Sequence, residues 1–315
     1  MPNPKLRFRF FEPDVDTNLP LIDGAAKIQG FDLERASGEA DAWEQGFGAL
    51  MGLMVAGAPC ICIPAFPNRK FRLSYIQVNS AAAIASAKDL EGKRVGIPQW
   101  NNTAGVWARG ALQNYYHVDL GRIDWLAVKP EGASPPSGVR IRPLPAGDGP
   151  GDERLDALLL AGELDAVIGP NVLRSITRRD PRVRRLFADY KAEEQTYFKQ
   201  TGIFPISHVI TMNKAFVQQY PEAPVALLQA YRDARDVAFD RIEGSDPVIL
   251  TISWASALMA EQRALMGDHY WAYNVEDNRR SLEAIVQFAY QQGLTPAKLN
   301  YESFFVPDAA ALPGH

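Results

Sequence analysis

The residues best suited to chemistry fall in a few short stretches of the sequence. Asn68-Arg-Lys-Phe-Arg72 places three cations within four positions. Arg69 and Arg72 carry planar forks that match a carboxylate, with Lys70 beside them. In a generic loop such a cluster is solvated. In a loop following a buried strand, where ligand sites of α/β sheets gather, it reads as an anion anchor. His208 opens an apolar strand and is one of four histidines, with His117, His269 and His315. Its titration range suits proton transfer near neutral pH, and its position equally suits a structural histidine bonded to backbone. The other three are expected at the surface. Asp41 and Glu44 fall in the first turn of an expected helix, where carboxylates favour the dipole in any case. Thr103 and Trp107 are four apart and share one helical face, which offers an indole either to the core or to an aromatic ring.

Other chemistry finds no support. The sequence has no Gly-x-Gly-x-x-Gly, P-loop, Gly-x-Ser-x-Gly elbow or metal-type histidine spacing. Flavin, nicotinamide, nucleotide and serine-hydrolase readings therefore fall away, and neither a metal nor a cofactor is expected. The two cysteines, Cys60 and Cys62, lie on one face of an expected strand and read as small buried apolar residues. A net charge of −4 gives no basic face for nucleic acid. The longest apolar stretch, residues 49–67, is broken by Gly52, Gly57, Pro59 and Pro64, so no bilayer span is expected. With strand periodicity rather than a signal sequence at Leu6, Phe8 and Phe10, the expected location is cytoplasmic.

The elements that must position these residues alternate between short apolar strands and helical patterns, an α/β arrangement of parallel sheets. With 315 residues, the chain is long enough for two lobes. A first strand around residues 6–10 leads to a turn at Leu21–Gly24, a second strand at Ile28–Leu33 and a helix over Asp41–Ala56 stopped by Gly57. Strands follow at Cys60–Ile63 and Ser74–Val78. A second lobe opens with the strand Arg94–Ile97 and a helix from Ala104 to Tyr116, preceded by Asn101, Asn102 and Thr103 as capping oxygens. That helix start presents free N–H groups to the cleft, a geometry that binds carboxylate. Residues 129–152 read as a long loop, Glu153–Ala161 as a helix, and Leu164–Ile168 as a strand. The charge run 178–185 reads as an exposed helix end. After a strand at Val209–Met212, helices are expected over Pro221–Glu243, Pro247–Met266 and Asp277–Gln292. Packing of the late helices on the first lobe gives two hinge crossings: lobe one is residues 1–85 with 206–315, and lobe two is residues 86–205. A ligand cleft lies between them.

Several stretches together resemble the 4,5-dihydroxyphthalate decarboxylase family: Ile63-Pro-Ala-Phe-Pro-Asn-Arg-Lys-Phe-Arg-Leu-Ser74, Asp89-Leu-Glu-Gly-Lys-Arg-Val-Gly-Ile-Pro98, Thr103-Ala-Gly-Val-Trp-Ala-Arg-Gly110 and Thr201-Gly-Ile-Phe-Pro-Ile-Ser-His208. Leu21–Gly24, Gly162–Ala166 and Asn278–Leu282 extend the likeness over nearly the whole chain, in order. The resemblance implies a type II periplasmic-binding-protein-like fold carrying a cytoplasmic enzyme. It also places Arg69, Arg72, Ser74, Thr103, Trp107, Arg109 and His208 around the cleft. Asn68 and Leu73 stand where the family pattern has serine and histidine, and Glu44-Gln-Gly-Phe-Gly48 replaces a serine-rich stretch.

The function this implies is cofactor-independent decarboxylation of a hydroxylated, phthalate- or benzoate-like acid. His208 would be the general acid/base, Arg69 and Arg72 the anchors, Trp107 a ring-stacking wall and Glu44 an acceptor of the phenolic proton. The expected partner is a small anionic aromatic substrate, with a homo-oligomer possible. Two alternatives stay open: a non-catalytic solute-binding protein for a small carboxylate, and a different lyase or dehydratase on the same scaffold.

Overall fold

In the computed structural model, which describes residues 2–130, 135–145, 147–244 and 250–311, strand β1 (Lys5–Arg9) alternates buried Leu6 and Phe8 with exposed Lys5, Arg7 and Arg9. It lies parallel to β2 (Asp32–Arg35) and β3 (Ala42–Gly46). After β4 (Cys60–Ile63), strands β5 (Ile76–Asn79), β6 (Arg94–Gln99), β7 (Asp124–Lys129), β8 (Arg140–Pro143), β9 (Ala166–Ile168) and β10 (Val183–Arg185) follow, and β11 (His208–Asn213) comes last.

These strands make two sheets, ordered β2-β1-β3-β11-β4 and β10-β5-β9-β6-β7-β8. Each sheet is completed by a strand that the chain lays down at a crossing. β5 runs antiparallel to β9 and β10, and β11 runs antiparallel to β3 and β4. This is the two-lobed α/β architecture expected. The first crossing, however, precedes Ile76 instead of following residue 85, because β5 pairs in the second sheet. The two crossing segments meet as a short ribbon: Arg69 bridges Ile206, and Asn68 O accepts from Ser207 N at 2.8 Å and His208 N at 3.2 Å.

Other elements depart from the sequence reading. Leu19–Ile22 is a short helix rather than a turn, and the second strand falls at Asp32–Arg35. Residues 41–46, expected in a helix, contain the strand β3, and the helix proper is Phe47–Val55. Asp41 is therefore no helix cap. Its carboxylate takes Arg7 N at 2.9 Å and the Arg7 guanidinium, pinning β1 to β3. The expected loop 129–152 contains β8, paired to β7, while residues 131–134 and 146 lie outside the described residues. The end of the charge run 178–185 is strand β10. Helices Ala223–Glu243, Ala255–Met266 and Arg279–Gln291 follow, the expected start at Pro247 lying outside the described residues.

The helix Thr103–Asn114 joins the two cores. Val106 and Trp107 belong to the apolar cluster of lobe one, whereas Ala108, Ala111 and Leu112 belong to that of lobe two. Gly110 lets this helix touch the helix Arg279–Gln291, since a Cβ there would overlap the Phe288 ring. No described helix is long and apolar enough to cross a membrane.

Candidate functional site

Register brings the titratable pair together. His208 stands opposite Gly46, and Ile210 opposite Glu44, across the antiparallel β3 and β11. Cross-strand partners share a face, so His208 and Glu44 are diagonal neighbours on one side of the sheet. Gly46 offers no side chain between them, and His208 Nδ1 meets Glu44 Oε1 at 2.5 Å. The other carboxylate oxygen accepts from Asn18 Nδ2 at 2.8 Å and faces Phe11 N at 3.4 Å. The Glu44 side chain is 1% exposed and that of His208 10%.

This changes the part Glu44 can play. It lies on a strand, and its carboxylate is engaged at both oxygens and closed to solvent, so it does not reach a ligand's phenol. It holds the imidazole by its Nδ1 edge. The Phe11 ring, 49% exposed, lies 4.4 Å from the imidazole between ring centres.

Thr103 meets the stretch after Glu44 from the second lobe. Its Oγ1 accepts from Gly48 N at 2.9 Å, so a hydroxyl from lobe two satisfies an orphan donor at the start of the Phe47–Val55 helix. Asn102 caps its own helix by accepting from Gly105 N. The approach is tight: a Cβ on Gly48 would overlap the backbone oxygen of Asn101.

The two arginines expected to anchor a carboxylate have different surroundings. Arg72 Nη2 donates to Ser207 Oγ at 2.6 Å, Nη1 reaches Pro170 O at 3.4 Å, and Nε is buried without a partner. Burial pulls its pKa down to about 10, so it stays charged at neutral pH. Arg69 is committed elsewhere. Its Nη1 donates to Asn278 Oδ1 at 2.7 Å, its Nη2 to Phe204 O at 2.8 Å, and its guanidinium stacks 4.3 Å over the Phe204 ring. It fastens the crossing ribbon to the start of the Arg279–Gln291 helix, and its Nε, like that of Arg72, is buried without a partner.

Three other expected site residues are likewise engaged in structure. Trp107 is 1% exposed, donates Nε1 to Ile206 O at 2.7 Å and meets Phe288 edge-on, so it is interlobe core and not a wall for a ligand ring. Arg109 is fully buried over the Trp100 ring, donating to Gln292 Oε1 at 2.8 Å and to Trp100 O. Ser74 sits in a 3-10 turn whose backbone N donates to Glu194 Oε1 at 2.8 Å. Burial raises the Glu194 carboxyl, against these bonds. Of the other histidines, His117 is exposed with a φ of 56°, and His315 lies outside the described residues.

Asn18, Phe11 and Ser207 complete the site, and the sequence alone does not single them out. Ser207 lies inside the stretch that ends at His208. Asn18 precedes the apolar Leu19-Pro-Leu-Ile22, and no local spacing ties it to Glu44.

The chain is 29% identical to a 4,5-dihydroxyphthalate decarboxylase of Comamonas testosteroni over 321 aligned positions, covering 96% of this chain and 97% of that one. It is 31% identical to a 4,5-dihydroxyphthalate decarboxylase of Pseudomonas putida over 198 positions, covering 57% of this chain and 76% of the relative. The chain belongs to the 4,5-dihydroxyphthalate decarboxylase family. No family model matches it. Among solved structures, the periplasmic aliphatic sulphonate binding protein SsuA of Escherichia coli superposes with a TM-score of 0.59 at 14% identity, over 98% of this chain and 99% of that one. The desulfurization enzyme DszB superposes with a TM-score of 0.53 at 17% identity, over 98% of both chains. At such identities these likenesses speak for the fold alone. The fold of this family member is the two-lobed periplasmic-binding-protein-like one.

Proposed function

We propose that the chain is a cofactor-independent carboxy-lyase that removes CO2 from a hydroxylated aromatic acid of the phthalate or benzoate type, working in the cytoplasm. The observation that carries this reading is the buried His208–Glu44 pair at the junction of the lobes, with the charged Arg72 tied to the neighbouring Ser207. Family membership supports the reaction class.

The chemistry follows from what the substrate itself supplies. A phenolic oxygen ortho or para to the leaving carboxylate pushes an electron pair into the ring. The ring carbon bearing that carboxylate takes a proton from His208 Nε2. The C–C bond then breaks, its electrons return to the ring as CO2 departs, and aromaticity is restored. His208 recovers its proton from water. Glu44 stabilises the imidazolium in which each cycle begins, and Arg72 holds substrate charge away from the reacting carbon. Thr103 and the start of its helix line the lobe-two side and keep bulk water out.

The test is to incubate the protein with hydroxylated phthalates and benzoates and measure CO2 release. Release from at least one of them, with a matching phenolic product, is expected. Tight binding without turnover would instead indicate a solute-binding protein, and turnover without CO2 a different lyase.

A further inference from the structure

Asn18 is fully buried, and its side chain has one hydrogen-bonding neighbour among the described residues, Glu44 Oε2 at 2.8 Å. Its Oδ1 is buried without a partner. An amide whose single neighbour is a carboxylate must present its N–H to it, because two acceptors with no proton between them would repel. Phe11 N faces the same oxygen. The turn that carries Asn18 is itself fixed: Asn18 N donates to Val15 O at 2.9 Å, and Thr17 Oγ1 donates to Pro67 O at 2.9 Å.

We infer that Asn18 is a positioning residue which sets the proton on the His208 ring. Both donors fall on Oε2 and hold Glu44 as a carboxylate with Oε1 turned to the imidazole. An oxygen that only accepts requires a proton on His208 Nδ1. Nε2, which has no partner among the described residues, is then the nitrogen left to exchange a proton with a ligand. Without Asn18 the carboxylate gains freedom to turn, and the neutral ring divides its proton between its two nitrogens. The catalytic meaning of this rests on the decarboxylase reading; the tautomer does not.

The experiment is a long-range proton–nitrogen correlation spectrum of the 15N-labelled protein, recorded above the imidazole titration range, with His208 assigned by the loss of its signals in His208→Gln. The wild-type ring should carry its proton on Nδ1. In Asn18→Leu, close in shape but without a donor, the ring signals should move towards a mixture of tautomers. In the same variant kcat should fall roughly 10-fold to 100-fold through misplacement of the imidazole, with KM changed by less than about twofold. Asn18→Ala removes the same donor, so it should shift the ring signals in the same direction, and it serves if the leucine variant does not fold. A wild-type ring protonated on Nε2, or an unchanged Nδ1 tautomer in a folded Asn18 variant, would overturn the inference. A protein that locks the Nδ1 tautomer but releases no CO2 would defeat the proposed reaction and leave this inference standing.

Discussion

Gly46 and His208 face each other across β3 and β11, and the imidazole reaches past Gly46 to Glu44, with the hydroxyl of Thr103 alongside the glycine. A Cβ at Gly46 would come within 3.2 Å of Thr103 Oγ1 and 3.9 Å of His208 Cδ2. Two positions on, a Cβ at Gly48 would strike the backbone oxygen of Asn101. The first contact is relieved by a small rotation of a side chain, whereas the second requires the lobes to part. Gly48→Ala should therefore cost about 1–3 kcal/mol of stability, and Gly46→Ala less than about 1 kcal/mol. Urea unfolding of the two variants checks the order, and a larger loss at Gly46 would contradict it.

Arg69 and Arg72 lie three residues apart and should fail differently. Arg72→Met should raise KM for the aromatic acid roughly 10-fold to 100-fold, the worth of a hydrogen bond to a charged group, in a protein that still folds. Arg69→Met leaves Asn278 Oδ1 and Phe204 O without the donor each now has from Arg69. It should lower stability by about 2–4 kcal/mol, with little change in KM for the folded fraction. Thermal unfolding and steady-state kinetics on the pair separate the two roles.

Trp107 ties the second lobe's first long helix into the core of the first. Trp107→Ala should cost about 3–5 kcal/mol, as expected for removing a buried indole. The Nε1 bond to Ile206 O is lost with it. Since Ile206 belongs to the hinge ribbon, the variant should also expand in small-angle scattering. A stable variant of unchanged dimensions would remove Trp107 from the interlobe core.

The Arg7–Asp41 pair gives a pH dependence with a definite sign. Burial acts to raise the Asp41 carboxyl, but the side-chain and backbone bonds from Arg7 outweigh it and hold it below the usual range. A carboxyl depressed in the folded state adds stability above its unfolded value, near 3.9, and loses that contribution as pH falls through the folded one. Asp41→Asn should thus lower the urea midpoint at pH 7, with the difference closing as the pH falls below about 3.9. A difference that grew on acidification would reverse the sign.

Much of the fold was legible in the sequence because alternation of strands with amphipathic helices is a local property, and so were stop signals such as Gly57 and Gly162. Assignment of a strand to a sheet is not local. Ile76–Asn79 is apolar enough for either lobe, and only its pairing with Val183–Arg185 and Ala166–Ile168 places it in the second. Glu44 reads as helical in sequence because a strand rarely turns a carboxylate into a core, and what makes this tolerable is a histidine 164 residues away. The same distance in sequence hides the fate of Arg69 and Arg109. Their partners, Asn278 and Gln292, lie 209 and 183 residues along the chain. An arginine cluster announces charge in a sequence, and only the fold tells whether that charge is free for a ligand.

In the proposed reaction His208, held by Glu44, delivers the proton that replaces CO2. The direct measurement is the rate of CO2 release by His208→Ala from whichever hydroxylated aromatic acid the wild type turns over, alongside the binding constant for that acid. If His208 delivers that proton, the rate should be lower by about 10²–10⁴-fold, with binding largely kept and the fold intact. A folded His208→Ala protein releasing CO2 at the wild-type rate would contradict it.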